Sequence, residues 1–470
     1  MKDGQTEYLK NTVILFIGKF ATQFSSILLL PLYTYYLSTS DYGTIDLIQT
    51  YINLFVPVFL LCFDTAVFRY LIDARNNKKE KDKIINNSII FGIIQCSIVL
   101  ILFLILSSFI KFHHSTLTIF NAIALMLSSI TLQICRGLGK NKDYSISMFF
   151  TAITNLVLNL ILIIVFKMNG SSILISSIVA NMISFAYIFI KCNVYKSIST
   201  QLFDIKVIKK LLHYSIPMIP NTLSWWIMNV SDRTIISIFI NTAANGIYTV
   251  SCKFSNIINS IFSIFIMSWQ ETASMHINDK DCDKFLSSMV DKLLSFFITL
   301  IIGLTSILPL IFNIVIGENY SNAYNYIPFL LIACIFSIFT SLIGGIYIAK
   351  KETKEVAKTS FLSAIINIII NILFIKKIGL YAACISTLIS YLSMSIYRFI
   401  DIKKYINLKL NLKKLLSLFL FITISTILYY INNIYFSTVM TVASIIIAIL
   451  YNKEFINEFK NIIFNKLKRN

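Results

Sequence analysis

The chain has 470 residues, is 57% hydrophobic and only 13% charged, with a mean hydropathy of +0.76; that leaves too little polar surface to cover a water-soluble fold. A net charge of +19 would point to nucleic acid in a soluble protein, but in so apolar a chain it reads as basic loops orienting membrane helices, and no nucleic-acid partner is expected. The 8 cysteines stand singly without a CxxC pair, a pattern that fits neither a disulfide framework nor a zinc site.

Repeated apolar runs of about 20 residues are long enough to cross a hydrocarbon core of ~30 Å. They predict an all-α integral membrane protein of about fourteen transmembrane helices: 11–37, 43–69, 84–110, 116–135, 146–167, 171–191, 213–240, 246–270, 290–316, 325–348, 358–376, 379–399, 413–432 and 435–451. The ~10-residue alternating segments of a membrane β-barrel do not appear. Met1–Glu7 lacks a signal-cleavage pattern, so the first run is expected to stay as a helix.

Polar residues mark particular helices. Helix one carries Lys19, Gln23 and Ser26 as a stripe, and helix two carries Asp46, Gln49, Thr50, Asn53, Pro57 and Asp64 at three- and four-residue steps. Asp64 and Arg69 close helix two, either as a gating pair or as a helix-end pair that snorkels to the interface. Helix four ends on Arg136, where a positive-inside anchor is the default. The longest loop, 192–212, is too short for a folded extramembrane domain. Helix seven aligns Asn221, Trp225, Asn229, Asp232 and Arg233, and helix eight aligns Thr249, Lys253, Asn256 and Ser260. Trp225 and Trp226 lie near mid-helix, where stacking on a sugar ring and helix packing are both open readings; Trp269 fits the interfacial belt. Pro57 and four other prolines are expected to kink their helices.

With the N-terminus inside, the inside segments hold 34 of the 41 Lys and Arg, and the outside loops hold only Lys111, Lys167, Lys376 and Lys377. This asymmetry predicts that both termini are cytoplasmic. It leaves Lys19, Arg233 and Lys253 as cations that orientation does not explain. A charge at the bilayer centre costs at least ~2.5–3.5 kcal/mol, so these residues are expected to face water or a partner. Counted from the outer turn, Arg233 and Lys253 both lie ~10 Å deep. Asp232 at the same level either pairs with Lys253 to hold the hairpin, or leaves surplus positive charge for an anion site.

Two echoes suggest duplication. AITNLVLNLILI (Ala152–Ile163) resembles AIINIIINILFI (Ala364–Ile375), aligning Asn155 and Asn159 with Asn367 and Asn371. STSDYGTIDL (Ser38–Leu47) resembles NTAANGIYTV (Asn241–Val250) at a similar offset. The expected organisation is two parallel-repeat six-helix lobes, 1–200 and 201–405, around a central cavity, with an added helix pair and basic tail at 406–470. No GxxxxGK[ST], HExxH or GxSxG motif is present, so neither a nucleotide site nor covalent catalysis is expected, and no cofactor or metal is called for.

The first hairpin (LLLPLYTYYLSTSDYGTIDLIQTY), the helix seven–eight hairpin (YSIPMIPNTLSWWIMNVSDRTIISIFINTAANGIYTVSCKFS) and the tracts FNIVIGENYSNAYNYIPFLL and IYIAKKETKEV resemble Wzx-type polysaccharide flippases. That group lies within the multidrug/oligosaccharidyl-lipid/polysaccharide exporter superfamily. The resemblance implies a transporter, not an enzyme, that moves an undecaprenyl-diphosphate-linked oligosaccharide to the outer leaflet for O-antigen or capsule synthesis. It implies ion-coupled or gradient-driven alternating access in the inner membrane, in contact with membrane lipid and alongside polysaccharide polymerase and chain-length proteins. By position, Arg233, Lys253, Lys19 and Arg136 would be the cationic substrate contacts, and Asp232, Asp64 and Arg69 the coupling or gating groups. Two alternatives stand beside it. A cation-coupled multidrug antiporter of the same superfamily would want an acidic cavity, and a membrane polysaccharide polymerase or ligase would want a long outside loop with catalytic Arg or His.

Overall fold

The computed structural model describes residues 22–107, 114–453 and 457. Among them there is no strand, as the apolar runs predict. The chain divides into two compact units, Met1–Val230 and Ser231–Asn470.

The first unit begins with α1 (residues 22–36), followed by α2 (Thr39–Phe59) and α3 (Phe63–Asp73). Ser38 caps α2 by accepting from the Asp41 amide at 3.1 Å. α2 and α3 together form one predicted span, bent by 53°. The break follows Pro57: Leu61 and Cys62 sit in the left-handed region at φ 52° and 51°, and the Cys62 amide donates back to the Pro57 carbonyl at 2.7 Å. Each left-handed non-glycine residue costs about 1 kcal/mol, so packing must hold this corner. Phe63 supplies some of that packing by stacking on Phe91 at 4.1 Å.

α4 (Lys78–Ser107), α5 (Ser115–Gly137), α6 (Asn141–Leu160) and α7 (Ser171–Lys191) follow. α5 is central, packing on α2, α3, α4 and α7. Gly137 permits the α3–α5 approach, because a Cβ there would lie 2.6 Å from that of Leu71. The long loop is more ordered than the sequence reading allowed. Two 3₁₀ turns lead to α8 (Ile205–Ser215), an amphipathic helix capped by Asp204. Asn86 and Asn87, both fully buried on α4, hold this stretch: Asn87 accepts from the Asp204 amide and donates to the Leu202 carbonyl, each at 2.9 Å.

The division between units falls inside α9 (Ile219–Phe239). The second unit continues with α10 (Thr242–His276), α11 (Cys282–Val315), α12 (Ile327–Ala349), α13 (Thr353–Ile378), α14 (Leu380–Asp401), α15 (Leu412–Ile431) and α16 (Ile434–Tyr451). α12 is the internal helix, packed on α10 and α14 and buried over most of its length. α15 and α16 attach through α11. Tyr324 and Tyr429 stack at 4.0 Å and exchange hydroxyl-to-carbonyl bonds of 2.8 and 2.7 Å, which fastens the end of α15 to the turn before α12.

Among the described residues, ten helices are long and apolar enough to cross a membrane, or up to 12 spans if each of two bent pairs is counted as one. These match twelve of the fourteen predicted helices in place and order. Helix one begins outside the described residues. Helix seven corresponds to α9, several of whose side chains also lie outside them.

Candidate functional site

The most developed polar cluster among the described residues surrounds Asp232, which is 7% exposed. Its Oδ1 accepts from Asn371 Nδ2 of α13 at 2.7 Å, and its Oδ2 accepts from Thr387 of α14 at 2.8 Å and Tyr248 of α10 at 3.0 Å. One turn along α13, Asn367 donates to Ser386 and Thr387 at 3.4 and 3.3 Å and accepts from Ser231 at 3.4 Å. A carboxylate taken out of water must be stabilised by donors or by counter-charge, and three neutral donors from three helices supply part of that here. Asn371 is fully buried, and its Oδ1 has no hydrogen-bond partner among the described residues. A protonated carboxyl here could donate as well as accept, and the orphaned Asn371 oxygen is an acceptor for it once the amide turns.

Arg233 follows Asp232 on α9 and Lys253 lies on α10, both half-buried within the second unit. Lys19 lies outside the described residues, as do the side chains of Trp225 and Trp226.

In the first unit, Asp64 occupies the first turn of α3, where the helix dipole favours a negative charge, and accepts from Ser129 Oγ at 2.7 Å. The gating pair with Arg69 is not formed. Arg69 instead bridges Asp73 at 2.6 Å, one turn on along the same exposed helix face. The separation of five residues from Asp64 to Arg69 turns the two side chains to different faces, whereas i,i+4 spacing brings Arg69 onto Asp73. Arg136 lies with its guanidinium 4.5 Å from the Phe68 ring centroid and 5.6 Å from that of Tyr144, and it donates to Gln133 at 3.3 Å. Stacking between two rings holds it more tightly than a loose interfacial anchor.

One further expectation is corrected. Trp269 is 2% exposed and donates its indole N–H to the Leu342 carbonyl at 2.8 Å, so it is a core residue and not part of an interfacial belt. Gly345 makes room for it: a Cβ there would come within 2.6 Å of the indole nitrogen.

Sequence reasoning missed Tyr248, Thr387 and Ser129, because each stands among other Ser and Thr residues of its helix and nothing local singles it out. Asn367 and Asn371 were visible, but only as markers of duplication. The two halves use their asparagines differently. Asn371 grips Asp232, while its counterpart Asn159 donates to the Asn155 carbonyl of its own helix at 2.8 Å. Arg398 was counted among the orienting cations of the inner face. It is 3% exposed and donates to the Thr340 and Val356 carbonyls and the Thr359 and Ser360 hydroxyls at 2.8–3.1 Å, tying α12, α13 and α14 together.

The fold has solved counterparts. The chain is 18% identical to lipid II flippase MurJ in an inward closed conformation, covering 95% of this chain and 99% of that one with a TM-score of 0.69. It is 12% identical to an inward-facing multidrug resistance MATE transporter of the MOP superfamily (81% and 98% covered, TM-score 0.62). It is 15% identical to the Vibrio cholerae MATE transporter VcmN (86% and 98% covered, TM-score 0.56). No curated protein matches the chain. The family described as "Polysaccharide biosynthesis protein" matches residues 8–269, more than half of the sequence. The chain is therefore a multi-pass membrane protein with the fold of MurJ and the MATE transporters, and it belongs to the polysaccharide biosynthesis protein family.

Proposed function

We propose that the protein is a flippase that carries an undecaprenyl-diphosphate-linked oligosaccharide repeat unit from the cytoplasmic to the outer leaflet for surface polysaccharide synthesis. The observation that carries this reading is the combination of membership in a polysaccharide biosynthesis family with a fold shared almost end to end with a lipid II flippase. The lobes 1–200 and 201–405 alternate access to a central cavity, with 406–470 as an appended pair. Arg233 and Lys253, with Lys19 and Arg136, supply positive charge for the diphosphate, and Trp225 and Trp226 offer surfaces for sugar stacking. Asp232 is the coupling group: it takes up and releases a proton or small cation as the lobes move. Asp64 and Arg69 act at the inner end of the first lobe. Polymerase and chain-length proteins are the downstream partners.

Arg233→Ala or Lys253→Ala should abolish surface polysaccharide and accumulate lipid-linked precursor while protein level and insertion stay normal. Full polysaccharide output from the double variant would overturn the anion-site assignment. The buried Asp232 carboxylate also suits a cation-coupled drug antiporter. In that case the same variants would alter drug sensitivity and leave precursor levels unchanged.

A further inference from the structure

The segment between α7 and α9 carries a feature that the transport reading does not use. α8 buries Ile208, Leu211 and Ser215 against its own unit, where it packs on α3 and α4. At 3.6 residues per turn, Lys206, Lys209 and His213 fall on the opposite face, and all three are exposed. The flanks of that basic face are apolar and exposed: Ile205 is 51% exposed, Phe203, just before the helix, 49%, and Tyr214 41%, with one edge of its ring on Tyr70 at 5.9 Å. A loop surrounded by water gains nothing from leaving three large apolar side chains beside its lysines.

The start of α8 is fastened to the first turns of α4. Lys83, near the start of the span Lys78–Ile105, bridges Asp204 at 2.6 Å, and Asn87 one turn further on holds the backbone of the same residue. α8 therefore lies beside the lysine-rich start of α4, the end that basic composition marks as the membrane interface. Lys210 is turned onto the Tyr70 ring at 4.8 Å, which leaves Lys206 and Lys209 as the outward cations. We infer that α8 is a membrane-surface helix whose Lys206 and Lys209 bind the phosphate headgroups of anionic lipids, with Phe203, Ile205 and Tyr214 seated at the acyl boundary. The pairing of exposed apolar flanks with a basic face matches a lipid surface and not a free phosphate ion, which would have no use for the flanks.

The test is a titration of phosphatidylglycerol into the detergent-purified full-length protein, read by the apparent unfolding temperature. Each lysine near an anionic surface contributes about fivefold to binding, so the Lys206→Gln/Lys209→Gln variant should need about 25-fold more lipid for the half-maximal upward shift. Phe203→Ser/Ile205→Ser should weaken the response with the lysines intact, and phosphatidylcholine should give no shift. The inference is overturned if the lysine variant titrates like the parent chain, if phosphatidylcholine serves equally, or if inorganic phosphate alone reproduces the shift. Hydrogen exchange on the unaltered chain provides the second measurement. Residues 203–214 should be slower in nanodiscs containing phosphatidylglycerol than in phosphatidylcholine nanodiscs, and equal exchange contradicts the inference even if the variants fail to fold.

Discussion

Replacing Asp232 by Asn and by Ala should separate a structural role from a functional one. In the native site Asn371, Thr387 and Tyr248 donate to the carboxylate, and Asn371 keeps an unpartnered oxygen on the same amide. In Asp232→Asn the new amide N–H₂ can meet that oxygen once the Asn371 amide rotates by half a turn, while the remaining Oδ1 still accepts from the two hydroxyls. All three contacts survive with their neighbours in place, so the loss of stability should be about 1 kcal/mol or less. Asp232→Ala leaves three buried donors without an acceptor, partly relieved by rotation of the hydroxyls, and should cost about 2–4 kcal/mol. The assay is the apparent unfolding temperature of purified protein alongside surface polysaccharide in cells: Asn near the parent in stability, Ala well below it, and both without polysaccharide. If Asn destabilises as much as Ala, the orphaned oxygen is not available and the site is misread. If Asn retains full polysaccharide output, Asp232 is not the coupling group.

Other parts of the account are exposed to simpler measurements. Gly345→Ala drives a methyl against the Trp269 indole and should cost about 1–3 kcal/mol, most of it recovered in a Trp269→Ala background by a double-mutant cycle on unfolding temperature. Arg398→Lys cannot span acceptors on both α12 and α13 and should cost about 2 kcal/mol, read the same way. The Lys83 ammonium, helped by the Lys206 amide, holds the Asp204 carboxyl below the usual carboxylate range. A depressed pKa gives stabilisation that is complete above the unfolded value of about 3.9 and is lost as pH falls through the lower folded value. Protease nicking of residues 199–215 should therefore rise in that acid window, and Lys83→Met should shift its onset toward higher pH.

Hydropathy and charge made the membrane class and the order of the spans legible, because lipid demands long apolar helices whatever the detailed packing. The corner at Leu61–Cys62 was only half legible. Pro57 announced a kink, but the break falls after it, where two left-handed residues are held by tertiary contacts. α8 was read as loop because its four lysine and histidine side chains lower its hydropathy, although its spacing of Ile208, Leu211 and Ser215 is helical. Around Asp232 the carboxylate itself stood out, since a charge in an apolar run is costly. Its partners did not stand out as such, because they come from three helices up to 155 residues away in sequence: Tyr248 and Thr387 carry no local mark, and Asn371 was visible only through the repeat.

Flipping of a lipid-linked oligosaccharide can be followed in a reconstituted system. Purified protein in proteoliposomes would be given an undecaprenyl-diphosphate-linked oligosaccharide in both leaflets, with the fraction accessible to an externally added glycan-cleaving enzyme followed over time. The protected inner pool should become accessible with the parent protein, and Arg233→Ala/Lys253→Ala and Asp232→Asn, both inserted normally, should fall to the rate of protein-free vesicles. An inner pool that stays protected with the parent protein, under every proton and sodium gradient, would contradict flipping.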